Sequence, residues 1–270
     1  MSNKSVKFVS GDRELYERFR IRHVIGTGNS IVYEVADEEE NLECVKEIRL
    51  DDKQAEFIFR KEIELLSKIR QNPHPNIVEY RGSYILQEQK GHLGAYKKGF
   101  IQMEKGITNL KTYLSSREHP FEQEDVLMFM TSLLEAFAHL QTSEVAHRDI
   151  KPSNILLFSE EPLYFKICDV GAGTAVGFCD HTKEMTVIGT PYYLSPELFR
   201  AYREKMHLVN YKAFKSDAYS LGLLFLEFCC LERFEKRLNN EAEMIEEKIQ
   251  RAKSMYPNII GLGKVLRKML

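Results

Sequence analysis

His147-Arg148-Asp149-Ile150-Lys151-Pro152-Ser153-Asn154 sets a carboxylate, an ammonium and a carboxamide close together, ahead of the apolar run Ile155-Leu156-Leu157-Phe158. A carboxylate so placed accepts a proton from an incoming hydroxyl, Lys151 neutralises charge on a transferring group, and Asn154 offers a carbonyl oxygen to a hard cation. The apolar run reads as a short strand, Ser159-Glu160-Glu161-Pro162 as a turn, and Tyr164-Phe165-Lys166-Ile167 as a second strand leading into Asp169-Val170-Gly171. In an antiparallel hairpin the residue entering the first strand lies beside the residue leaving the second, with paired Cα atoms about 5 Å apart. Asn154 and Asp169 therefore meet at one end. Two oxygen ligands there, next to the acid Asp149, suit Mg²⁺ bridged to phosphate rather than a closed protein cage.

Upstream, residues ahead of Phe19 read as a polar leader, and strand-like Ile21 to Val35 is interrupted by Gly26-Thr27-Gly28-Asn29-Ser30. Two glycines let the backbone come close to phosphates, whose oxygens the turn's amides can cradle; a plain hairpin turn would read the same way. The strand Asn41 to Leu50 carries Lys46, which is either an exposed strand residue or the partner of a buried acid. The helix from Glu56 to Arg70 has an apolar stripe of Ile58, Leu65, Leu66 and Ile69, with Glu62 inside it. A carboxylate on a packed face needs a cation unless its head reaches water, and Lys46 is the candidate. Ile77 to Leu86 and Phe100 to Met103 read as further strands. Glu122 to Thr142 repeats Val126, Met130, Leu133, Phe137 and Leu140 at helical spacing, a core helix with no chemistry of its own. Beyond Asp169, a turn-rich segment holding Thr174, Thr182, Thr186 and Thr190 is either a surface loop or a segment that orders and disorders. It ends in Gly189-Thr190-Pro191-Tyr192-Tyr193-Leu194-Ser195-Pro196-Glu197. Ser216 to Gly222 opens a buried helix, and Asn240 to Lys253 reads as a charged amphipathic one.

In this order, the glycine turn, strand lysine, helix glutamate, His-Arg-Asp with its asparagine, Asp-x-Gly and Pro-Glu resemble the eukaryotic protein kinase family, whose motif set is a standard pattern. The resemblance implies an α+β fold of two lobes over residues 19–270, with a β-rich N-lobe to about 102, a hinge at 103–106 and a helical C-lobe from 107. It implies transfer of the γ-phosphoryl group of ATP to a protein hydroxyl, with Mg²⁺ as cofactor. Asp149 and Lys151 are then catalytic, and Asn154 and Asp169 hold the metal. Gly26, Gly28, Val32, Cys44, Lys46, Glu62, Met103, Glu104 and Leu156 surround the nucleotide, Lys46 being paired with Glu62 and Met103 lying behind the adenine. Lys151 and the Gly-Thr-Pro-x-Tyr stretch resemble the Ser/Thr-specific branch. Arg148 with Thr186, or Thr182 in its place, implies a regulatory phosphosite served by an upstream kinase, whereas Thr190 is expected to touch the catalytic loop. Asp217 resembles the acid that anchors that loop, although a plain acid at a helix start is the simpler reading.

The chain departs from the family pattern in three places. Ser30 stands near the third glycine of a turn one residue short, Val170 replaces the usual phenylalanine, and the pattern's Asp-Pro-x-x-Arg turn and last helix do not follow Val265 to Leu270. The last departure implies a truncated C-lobe, or a marginal one that relies on another chain or cation, in which neighbouring helix faces lack cover and Glu197, without its buried arginine, is solvated or re-paired. All three leave open a different class of function, a pseudokinase-like binding scaffold.

The 270 residues, 43% of them hydrophobic, suffice for a sizeable core in one unit or two closely packed lobes. A formal charge of −2 without a sustained basic stripe argues against nucleic acid or an anionic membrane as the main partner; a protein substrate is what the resemblance implies. Cys44, Cys168, Cys179, Cys229 and Cys230 show no Cys-x-x-Cys spacing, which fits reduced thiols and no structural zinc. With no apolar leader in view, an intracellular, cytoplasmic protein is the expectation.

Overall fold

The computed structural model describes residues 6–28, 30–89, 95–176, 182–232 and 242–270, so Asn29 of the glycine turn and Cys179 lie outside the described residues. Two compact units are present, one made of the chain up to Pro73 with Val78–Lys105, the other of His74–Ile77 with Gly106–Leu270.

The first unit holds β1 (Val6–Gly11), α1 (Arg13–Arg18), β2 (Arg20–Thr27), β3 (Ile31–Ala36), β4 (Leu42–Leu50), α2 (Lys53–Gln71), β5 (Tyr80–Gln89) and β6 (Ala95–Glu104). Its strands form one antiparallel sheet in the order β1-β5-β6-β4-β3-β2. β1 and α1 correct the expectation of a polar leader. β1 joins the sheet by backbone pairing with β5, Val6 opposite Glu88 and Gly11 opposite Tyr84, and such pairing leaves no apolar mark in a sequence. Gly11 turns the corner at φ +109, where a Cβ would run into Ser83 O and the Tyr84 backbone. Tyr16 and Phe19 then pack on a cluster of Val35, Val45, Tyr84, Leu86 and Phe100.

Helix α2 starts at Asp52, whose carboxylate accepts the Ala55 amide hydrogen, and buries Phe59, Glu62, Leu65, Leu66 and Ile69. Ile58, expected in that stripe, is instead exposed. Phe59 takes the inner place because Gly99 of β6 leaves room for its ring: a Cβ on Gly99 would stand 2.5 Å from it. The expected strand from Ile77 starts only at Tyr80, since Ile77 makes a parallel bridge to Ile167 in the second unit's own sheet.

The second unit contains β7 (Thr108–Asn109), α3 (Leu110–Ser116), α4 (Gln123–Thr142), β8 (Val145–Ala146), β9 (Ile155–Glu160), β10 (Leu163–Ile167), β11 (Thr174–Ala175), β12 (Lys183–Thr186), α5 (Pro196–Arg203), β13 (Leu208–Tyr211), α6 (Ala213–Cys230), α7 (Ala242–Met255) and α8 (Leu262–Met269). Its centre is aromatic: Phe129 stacks on Phe228 at 3.8 Å between ring centroids, and Phe165 meets Phe129 edge-on at 5.0 Å. The expected uncovered helix faces are not found at α6, which is buried along nearly its whole length and has Leu270 packed against Gly222. Glu197, expected without a buried partner, lies on the surface. No helix among the described residues is long and apolar enough to cross a membrane.

Candidate active site

In the second unit the hairpin β9–β10 pairs Ile155 with Ile167, and the Cys168 amide donates to Asn154 O at 2.9 Å, so the residues on either side of the hairpin's open end are drawn together. Behind them runs the loop from His147 to Asn154, anchored by one buried side chain. Asp217, in the first turns of α6, accepts the His147 and Arg148 amide hydrogens at 2.7 Å each. Burial pushes its carboxyl up to about 6, against the opposing pull of the charges and amides of His147 and Arg148. His147 is itself fully buried, with Nε2 2.9 Å from Cys168 O. The loop is thereby tied both to α6 and to the strand end that precedes Asp169.

Two non-glycine residues here adopt the left-handed backbone, Arg148 at φ 66 and Asp169 at φ 64. Such residues cost about 1–3 kcal/mol each and persist where their surroundings fix them. Gly189 at φ +119 lets the chain pass close by, because a Cβ there would lie 2.8 Å from Arg148 O. The sequence reading gave Gly189 no role of its own.

The Asp149 carboxylate sits amid donors. Lys151 Nζ donates to Oδ2 at 2.6 Å, Asn154 Nδ2 reaches the same oxygen at 3.2 Å, and Thr190 Oγ1 donates to Oδ1 at 2.8 Å. Lys151 Nζ also reaches Thr190 Oγ1 at 2.8 Å, so Thr190 does contact the catalytic loop. With its amide group directed at Asp149, to whose backbone oxygen Nδ2 also donates at 2.8 Å, Asn154 keeps its carbonyl oxygen as the outward acceptor. Asp169 caps the short turn Val170–Ala172, accepting the Gly171 amide hydrogen at 3.3 Å. One carboxylate and one carboxamide form an all-oxygen pair. They fit a hard cation that completes its shell with water and phosphate oxygens, and no group of three or more His, Cys, Asp or Glu among the described residues offers a cage instead.

The first unit brings together a second set. Lys46 on β4 and Glu62 on α2 form an ion pair at 2.7 Å with side chains 12% and 5% exposed, so the acid found on the packed helix face does meet the strand lysine. On the same strand Cys44 is buried, its Sγ 3.5 Å from Glu104 O, and desolvation raises its thiol to about 12. Val32 lies opposite Lys46, and Met103 opposite Cys44. The Glu104 carboxylate accepts the Glu79 amide hydrogen at 2.7 Å. Gly26 and Gly28 lie at the end of β2, the first facing Val32 across the ladder and the second open, with nothing within 4 Å of where a Cβ would stand. Leu156 belongs to the second unit, where it packs under Gly106.

Of the regulatory candidates, Thr182 and Thr186 are exposed. Arg148 reaches Thr186 with Nη2, 2.6 Å from its carbonyl and 2.9 Å from Oγ1. The same guanidinium donates from Nε to Tyr211 Oη at 2.8 Å. Tyr211 escaped the sequence reading, and no motif or spacing marks it.

Known proteins are similar to this chain. The protein kinase domain family matches residues 19–264. Serine/threonine-protein kinase nekl-2 of Caenorhabditis elegans is 34% identical over 65% of this chain, and serine/threonine-protein kinase PrkC of Bacillus subtilis 33% identical over 78%. Human serine/threonine-protein kinase D2 is 30% identical over 80% of it. The chain spans 45%, 30% and 22% of those proteins' own lengths. With a family match over nearly its whole length, and with the loop, hairpin and ion pair built as described, this chain belongs to the protein kinase family.

Proposed function

We propose that the protein transfers the γ-phosphoryl group of ATP to serine or threonine hydroxyls of protein substrates. The observation that carries this reading is the Asp149 carboxylate, held between Lys151 Nζ at 2.6 Å and Thr190 Oγ1 at 2.8 Å on a loop fixed from behind by Asp217. Asp149 orients the incoming hydroxyl and takes its proton as the oxygen bonds to the γ-phosphorus and the bond to ADP breaks. Lys151 neutralises charge on the moving group. Asn154 and Asp169 would hold Mg²⁺, which when bound would offset phosphate charge.

Lys46, kept in place by Glu62, positions the α- and β-phosphates. Gly26 and Gly28 supply amides to the phosphates, Val32, Cys44, Met103 and Leu156 line the adenine, and Glu104 offers its backbone carbonyl to it. The domain runs over residues 19–270 with its lobe boundary at 103–106, a reading supported by the division of the two units after Lys105. Thr186, with Thr182 as the alternative, is the site where an upstream kinase adds phosphate, which Arg148 is placed to meet. Cys44, Cys229 and Cys230 are buried free thiols, which supports a reducing, cytoplasmic setting.

A radiolabelled-ATP assay with a generic basic protein substrate tests the reading. The wild-type chain transfers label to Ser or Thr and Asp149→Asn does not; equal transfer by both, or none by either, overturns it, the latter in favour of a binding scaffold.

A further inference from the structure

β12 and β13 form a two-stranded antiparallel ladder that pairs Lys183 with Tyr211 and Thr186 with Leu208, and the Val187 amide extends it to His207 O at 2.9 Å. The end of the segment that follows Asp-x-Gly is thus held by a strand lying just ahead of α6. Beside this ladder every arm of the Arg148 guanidinium is engaged by a neutral oxygen: Nε by Tyr211 Oη at 2.8 Å, Nη1 by Ala172 O at 3.4 Å, and Nη2 by Thr186 O and Oγ1 at 2.6 and 2.9 Å. Arg148 therefore ties together the beginning of the segment, its end and β13, while its own amide is fixed by Asp217. Tyr211 is 3% exposed, and burial raises its phenol above the usual range, which keeps the hydroxyl neutral. A phosphate is the usual way to saturate an arginine of this kind. Here a phenol, a threonine and two carbonyls already do so.

We propose that Tyr211 is a positioning residue. It holds Arg148 and, with the β12–β13 ladder, keeps the described parts of the segment, 169–176 and 182–197, in their working arrangement before any modification of Thr186. Phosphate on the exposed Thr186 then adds to an arrangement already formed, and becomes necessary only when the phenol or the ladder is lost. The inference rests on the phosphotransfer function proposed above.

The test compares kcat and KM of the phosphatase-treated chain with those of the chain carrying phosphothreonine at position 186 by genetic incorporation. Both comparisons are repeated in Tyr211→Phe and in Val187→Pro, which deletes the amide bonded to His207 O. The treated wild type keeps kcat within about three-fold of the phosphorylated form, as expected when the hydrogen bonds to the cation are already made. Treated Tyr211→Phe loses about ten-fold in kcat with KM for ATP little changed, the size of one hydrogen bond to a charged group, and regains it with phosphothreonine at 186. A residue needed only for folding would not be rescued by a phosphate. Val187→Pro behaves likewise and decides the matter if Tyr211→Phe does not fold. An inactive treated wild type beside an active phosphorylated one overturns the inference while leaving phosphotransfer standing. So does a Tyr211→Phe chain that turns over normally without phosphate, or one that phosphate fails to restore. No transfer in any form overturns the phosphotransfer function itself.

Discussion

The loop from His147 to Asn154 and the turn from Gly26 to Ser30 both serve phosphate in the proposed reaction, yet they are built in opposite ways. The loop is braced from beneath: Asp217 holds two of its amides, His147 and Ile150 are buried, and Asp149 already has three side-chain donors around it. The two glycines of the turn have no such backing among the described residues: neither has a left-handed φ, and no described residue stands within 4 Å of a Cβ at Gly28. Groups that must be in place before substrate arrives are fixed by the fold, whereas groups that wrap a ligand can take their shape from it.

The largest effect is expected at Lys46→Met. Transfer should fall at least about 100-fold through loss of phosphate positioning. The buried Glu62 also loses its 2.7 Å partner, so the variant should be destabilised by about 3 kcal/mol or more. A melting temperature equal to wild type would show that Glu62 does not depend on Lys46.

Asp169→Asn should lower transfer by a similar factor, about 100-fold at saturating Mg-ATP, while leaving melting almost unchanged. Asparagine tolerates the left-handed backbone that Asp169 adopts at φ 64. Retained turnover would remove Asp169 from the metal site.

A smaller effect belongs to the brace. The folded carboxyl of Asp217 is raised from 3.8 to about 6, so the folded form holds a proton that the unfolded chain releases. That contribution is full below about pH 4, falls as pH rises through about 6 and is absent above it. Asp217→Asn lacks it and loses one amide acceptor, costing about 1–3 kcal/mol. In urea titrations the advantage of wild type over the variant should therefore shrink from pH 4.5 to 7.5; growth over that range would show that the ionised form is favoured in the folded protein.

The smallest effect is expected at Gly28→Ala, whose stability should stay within about 1 kcal/mol of wild type. KM for ATP should rise a few-fold, because a methyl group obstructs close approach to phosphate rather than any protein atom. An unstable variant would mean that the turn is braced after all.

Much of the loop was legible because its parts are neighbours in sequence: a hairpin of known period places Asn154 next to Asp169, and Glu62 betrays itself as a charge on an apolar helix face. Features missed by the sequence depend on distant pairings. Tyr211 meets Arg148 across 63 residues with no pattern linking them. Phe59 displaces Ile58 from the packed face of α2 because of Gly99, on β6 beyond the intervening β5, and helical spacing alone cannot choose between adjacent apolar residues. For want of a buried arginine in the sequence Glu197 was expected to be solvated or re-paired, and its place on the surface is the solvated outcome.

β1 bears on where this fold can be cut. A chain started at Phe19, where the family match begins, would strip the outer edge of β5 and expose a row of unsatisfied amides and carbonyls along Tyr84 to Glu88. Open strand edges recruit other strands, so the natural consequence of such a cut is self-association. The first strand thus covers the edge of β5 from outside the region that defines the family.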